Sequence, residues 1–187
     1  MEIMDLWLPI LISAVIVFMA SSVMHMLLGH HKSDYRKMPG EDKVMAEMRN
    51  HDVGVGTYFL PHGDGMKAWK DPAFLERYKQ GPVSMVTVLD AGDQPSMGKN
   101  LMWWFVFCLI VSVFTAYVCT LLGPGAHYSR VFRWAGSIAI MGYAVSNFPD
   151  SIWKGQSWGV TMKFMFDGVV YGLLTAGTFG WLWPEAM

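Results

Sequence analysis

Cysteine is almost missing from this chain. Cys108 and Cys119 are the only two, and both fall in one apolar run. As helix residues they lie about 16 Å apart along the axis, too far to bridge each other. That excludes a disulfide framework and a thiolate zinc site, and leaves the redox compartment unmarked. Charge is also scarce, at 16% Asp, Glu, Lys and Arg with a net charge of −1, against roughly 25% in an ordinary soluble domain. The basic residues form no long block, which excludes a nucleic-acid partner. There is no internal repeat, no low-complexity tract, and no nucleophile elbow, phosphate loop, HExxH or CxxC pattern. Nothing nominates a reaction, so the chain reads as a non-enzyme with no cofactor specified.

What the sequence has is apolar length. Of 187 residues, 53% are hydrophobic and 14% aromatic, and four long apolar runs occupy residues 6–28, 101–122, 131–148 and 158–183. The expected fold is an all-α membrane protein with four transmembrane helices. Residues 1–28 carry helix 1, residues 29–100 form a polar segment, and residues 101–187 carry helices 2 to 4. Glu2 and Asp5 precede the first run where a signal peptide would carry lysine or arginine, so that run reads as a retained helix. Pro9 falls in its first turn, where a missing N–H costs little.

Ten of the 14 Lys and Arg residues lie in residues 29–100. By the positive-inside rule this segment is cytoplasmic and both termini are periplasmic, in a bacterial inner membrane. The segment reads as a cap of short helices with a small hairpin. One helix spans 41–49 after Pro39-Gly40. A second is opened by Asp71 as N-cap with Pro72 at the first position and is stopped by Gly81. Residues 83–89 have strand composition, with 54–60 as partner. The tryptophans fit this topology as interface anchors: Trp7, Trp134, Trp181 and Trp183 at outer ends, Trp103, Trp104, Trp153 and Trp158 at inner ends. Trp69 alone falls in the polar segment, as a packing or headgroup residue.

The last run organises the chain. Gly168, Gly172, Ala176 and Gly180 recur every fourth residue, a ladder that lets another helix backbone approach closely. Asp167 borders that face and Lys163 lies one turn earlier, pointing further outward. An unpaired carboxylate at that depth costs roughly 2.5 to 3.5 kcal/mol on insertion scales. Lys163 can snorkel to the interface, which favours a hydrogen bond from Asp167 across helices to His25 or another polar group.

His25 also stands between Met24 and Met26, a set that suits Cu(I), but adjacent helix positions diverge by 100° and no metal is assigned. His30, His31, His51, His62 and His127 fall outside the spans, which excludes an intrachain bis-histidine haem. Residues 30–37, rich in His, Lys and Arg, read as a solvated positive flank rather than as a site for an anionic headgroup or acidic partner.

Three stretches carry a resemblance: Ser21-Ser22-Val23-Met24-His25-Met26; His31-Lys32-Ser33-Asp34-Tyr35 with Pro39-Gly40-Glu41-Asp42; and residues 173–184, LLTAGTFGWLWP. Through these the chain resembles a family of small, uncharacterised bacterial four-helix integral membrane proteins. The resemblance implies a bacterial membrane location and no activity, cofactor or partner. The residues themselves suggest a non-catalytic subunit or assembly partner of a larger inner-membrane complex, respiratory or photosynthetic. Its partners would be lipids and other membrane subunits or copies of itself. The alternative is a small carrier or proton-coupled transporter using Asp167.

Overall fold

The computed structural model describes residues 1–92 and 97–185 and is mostly helical. Its helices are α1 (Trp7–Met26), α2 (Glu41–Asn50), α3 (Gly65–Ala68), α4 (Pro72–Gln80), α5 (Gly98–Cys119), α6 (Tyr128–Tyr143), α7 (Phe148–Trp153) and α8 (Trp158–Trp181); its strands are β1 (Gly56–Leu60) and β2 (Ser84–Val88). Two helical stretches, Ile3–Met26 and Gly98–Leu122, are long and apolar enough to cross a membrane. The chain divides into two compact units, Met1–Asp34 with Ser96–Met187, and Tyr35–Pro95.

In the first unit the four longest helices form a ring: α1 packs on α5 and α8, and α6 packs on α5 and α8. A turn at Ile3–Leu6 leads into α1, with the Glu2 N–H donating to the Asp5 carboxylate at 2.7 Å. Leu6 and Pro9 are buried there. Polar contacts fix the pairing of α1 with α5, which run antiparallel. The Ser13 and Ser112 hydroxyls meet at 3.0 Å in the buried centre, and the Trp104 indole N–H donates to the Ser21 hydroxyl at 2.8 Å. Thr115 and Thr175 donate to carbonyls of their own preceding turns, so these hydroxyls are satisfied without water.

The small-residue ladder is the seam between α8 and α6. A methyl at Gly168 would meet the Tyr143 carbonyl and the Ala144 Cα, one at Gly172 would meet Ile140, and one at Gly180 would meet the Tyr128 ring. Ala176 faces Gly136, where an added Cβ would sit 3.1 Å from the Ala176 methyl. The contacts run antiparallel down both helices. The ladder is therefore filled by a helix of the same chain. It offers no face to a partner subunit, and the sequence argument for a partner loses that support.

The third apolar run folds differently from the expected single span. Its helix starts earlier, at Tyr128 with His127 as cap, and ends at Tyr143. The Asn147 amide donates to the Tyr143 and Ala144 carbonyls at 2.8 and 3.1 Å, competing with the helix's own hydrogen bonds. Pro149 has no N–H to continue the ladder and instead sits in the first turn of α7. The fourth run stops at Trp181 rather than 183. Trp183 turns back, its indole N–H donating to the Gly123 carbonyl at 3.0 Å, and the Gly125 N–H donates to the Pro184 carbonyl at 2.8 Å.

In the second unit, α2 begins after Pro39-Gly40, and α4 carries its cap where expected: the Asp71 carboxylate accepts from the Ala73 N–H at 3.0 Å, and Gly81 ends the helix. Strands β1 and β2 pair antiparallel, with Gly56 opposite Val88 and Leu60 opposite Ser84. Trp69 packs in this unit against Phe74 and Tyr78, with ring centroids 5.5 and 5.7 Å away.

Candidate functional site

Asp167 is 1% exposed, and what covers it is the chain just beyond α1. Helix α1 ends at Met26. Gly29 then adopts φ +64°, a left-handed conformation that suits glycine, and begins a tight turn at His30–Ser33. The reversal lays both imidazoles on α8. His30 Nε2 donates to Asp167 Oδ1 at 2.9 Å, and His31 Nε2 lies 2.7 Å from Asp167 Oδ2.

The turn is held from the other side by Lys163. Its ammonium donates to the His30 carbonyl at 2.7 Å, the Ser33 hydroxyl at 2.8 Å and Asp34 Oδ1 at 2.7 Å. Asp34 also accepts from His31 Nδ1 at 2.5 Å. His31 thus stands between two carboxylates, one on each ring nitrogen. With both carboxylates ionised the ring must carry two N–H groups and a positive charge. Burial opposes that charge, but the hydrogen bonds and charges of Asp167 and Asp34 outweigh it and raise the His31 pKa above the ordinary histidine value. Burial likewise opposes ionised Asp34, and Lys163 and His31 hold its pKa below the usual value. Lys163, His31, Asp34 and Asp167 then balance to zero net charge, which makes a desolvated cluster tolerable.

His25 stacks on His31 at a centroid distance of 4.3 Å and an interplanar angle of 11°, and donates from Nδ1 to the Ser21 carbonyl at 3.0 Å. Phe164 lies against His31 at 4.8 Å. Beside these rings is a cavity of about 470 Å³ walled by α1, α5, α8 and the end of α6. Its lining is mainly aromatic and aliphatic, with Trp104, Phe107, Tyr143 and Phe164, and Asp167 and His25 border it. Tyr171, one helical turn beyond Asp167, is 3% exposed and lines the same cavity. Its hydroxyl has no hydrogen-bond partner among the described residues.

These positions revise several sequence expectations. Asp167, Lys163 and His25 do come together, but His25 is not the partner of Asp167; His30 and His31 are, and Lys163 pairs with Asp34 instead of extending to the interface. Residues 30–37 are not one solvated flank. His30, His31 and Asp34 turn onto α8, and Ser33, though exposed, accepts from Lys163, whereas Lys32, Tyr35, Arg36 and Lys37 point away and are exposed. The Met24-His25-Met26 triplet does not converge, since Met24 is buried and Met26 is exposed. Among the tryptophans, Trp7, Trp103, Trp134, Trp153, Trp158 and Trp181 are exposed; Trp104 is turned into the bundle and Trp183 is held by Gly123. Two signals for the missed residues are present in the sequence: a glycine directly after an apolar run, and a histidine pair with an acid three residues beyond.

A helical bundle with two helices able to cross a membrane, carrying a His–Asp–Lys cluster around the buried Asp167 beside an apolar cavity, is the class that fold and site define. No protein-family model, curated protein or solved structure matches the chain.

Proposed function

We propose that this protein is a four-helix integral protein of the bacterial inner membrane, with residues 29–100 cytoplasmic and both termini periplasmic, acting as a small carrier for an amphipathic molecule bound in the cavity. The length and hydropathy of α1 and α5 support membrane insertion. Helix α8 has the length to cross at 24 residues, and its two charged groups, Lys163 and Asp167, are both paired within the bundle. The excess of positive charge in residues 29–100 supports the orientation.

One observation carries the binding function: a cavity of about 470 Å³ with mainly aromatic and aliphatic walls, bordered by the polar groups of His25, Asp167 and Asn100. Ligand sites are typically cavities of about 300–1,000 Å³, mostly apolar with a few convergent polar groups. The cargo would set its polar end beside His25 and Asp167 and its apolar body against Trp104 and Phe107.

Native mass spectrometry of the protein released from its own membrane in mild detergent tests this. The wild type should carry a small-molecule adduct near one per chain, and Leu101→Trp, at an exposed position on the cavity wall, should lose it. A bare wild-type chain, or an adduct that survives Leu101→Trp unchanged, refutes the reading.

A further inference from the structure

We propose that His25, His31 and Asp167 form a binding site for one divalent first-row transition-metal ion. The ligand atoms of these three side chains lie within 4.8 Å of one another. They come from three separate places, the last turn of α1, the turn after Gly29 and the middle of α8. This convergence is a product of the fold and not of sequence adjacency.

The supporting contacts are those that metal-binding histidines use. A ligating imidazole normally donates its other N–H to a carboxylate or a backbone carbonyl, which fixes the tautomer and aims the lone pair. Here His25 Nδ1 donates to the Ser21 carbonyl and His31 Nδ1 to the Asp34 carboxylate. Each ring thereby keeps Nε2 for a ligand, and because the two rings stack nearly parallel at 11°, His25 must turn out of the stack for both lone pairs to meet one ion. Asp34 is held by Lys163 and Asp167 by His30, so the outer carboxylate and the ligand carboxylate are each anchored by a further group.

Two imidazoles and one carboxylate suit Zn²⁺, Co²⁺, Ni²⁺ or Fe²⁺, and the absence of thiolate in the site argues against softer ions. Metal–ligand lengths near 2.0–2.2 Å place tetrahedral ligand atoms about 3.4 Å apart. The His31 Nε2 to Asp167 separation of 2.7 Å would open to accept an ion, and His25, exposed at the end of α1, can close the longest gap. The ion would take the place of the proton on His31 Nε2. Three protein ligands leave a coordination position open, and His25 and Asp167 both border the cavity, so that position faces it. The proposal does not depend on what the cavity holds.

The test uses the full chain in detergent, stripped with chelator and titrated with Co²⁺, whose visible absorption reports coordination, with Zn²⁺ as competitor. Wild type should bind one Co²⁺ per chain. His25→Ala removes an exposed ligand and should weaken binding by more than a hundredfold with the thermal transition retained. Asp34→Asn, acting through His31, should weaken it by about 10–100-fold. His127→Ala, at the cap of α6, and Leu101→Trp, in the cavity, should leave affinity unchanged, which separates a failure of this site from a failure of the cavity reading. Absence of Co²⁺ binding by wild type, or equal affinity in wild type and His25→Ala, overturns the proposal; if Asp34→Asn does not fold, the His25→Ala comparison decides alone.

Discussion

Two glycines of α8, nine residues apart, should respond to alanine with opposite signs. At Gly168 an added Cβ would sit 2.6 Å from the Ala144 Cα, 2.5 Å from the Tyr143 carbonyl carbon and closer still to its oxygen. All three atoms are backbone, and none can rotate away. Relief requires α6 and α8 to separate locally, which also loosens the Gly172 and Gly180 contacts along the same seam. Overpacking of a well-packed core costs about 1–3 kcal/mol, and a backbone obstacle belongs at the upper end. At Gly177 the nearest atom to an added Cβ is the Tyr128 hydroxyl at 4.0 Å, an ordinary contact. Alanine there gains helix propensity, about 0.5–1 kcal/mol over glycine in a helix interior. Gly168→Ala gains the same propensity, so the pair should differ by the overpacking cost alone, roughly 1–3 kcal/mol. Denaturant titration in mixed micelles, followed by far-ultraviolet circular dichroism, measures the difference. Gly168→Ala as stable as wild type would refute the close α6–α8 seam, and so would Gly177→Ala as damaging as Gly168→Ala.

Two further substitutions probe the cluster and the cavity. Asp167→Asn should retain most of the stability, because an amide still accepts from one histidine. Asp167→Leu should lose about 1–3 kcal/mol by stranding His30 and His31; equal thermal transitions for Asn and Leu would show that the His–Asp contacts contribute nothing. Tyr171→Phe should leave stability unchanged or raise it by up to about 1–3 kcal/mol, since it deletes a buried hydroxyl without a partner. A destabilised Tyr171→Phe would mean that the hydroxyl has a partner within the fold.

Elements governed by local chemistry were legible in the sequence. Asp71-Pro72 and Gly81 bracket α4 because cap, fixed φ and stop are properties of single residues. The paired strands fell within their predicted stretches because β-branched and aromatic residues are concentrated there. Helix α8 and its ladder were legible because a period of four in small residues has few other uses. The end of α6 was not. Asn147 stops that helix early, yet it lies in an apolar run whose average hides it, and Pro149 falls just past the end of that run. Nor did the ladder say which helix would fill it, since a neighbouring run in the same chain and a partner subunit satisfy the same sequence pattern.

The site resisted reading for a related reason. Its two most important contacts, His30 and His31 with Asp167, join residues 137 and 136 positions apart. By composition those histidines belong to a basic, polar flank. What moves them into the bundle is the left-handed turn at Gly29, and what holds them there is Lys163, which from its position in α8 looks like a residue reaching for the interface. Each group has an ordinary explanation alone: a helix-ending glycine, a flanking histidine pair, a snorkelling lysine, a costly carboxylate. Only the carboxylate demanded a partner, and depth along the helix pointed to His25, which is at the right level but stacks on His31. A buried charge thus revealed that a site exists. It did not reveal the site's membership, because one glycine turn brings residues from outside the apolar run to the same depth as residues within it.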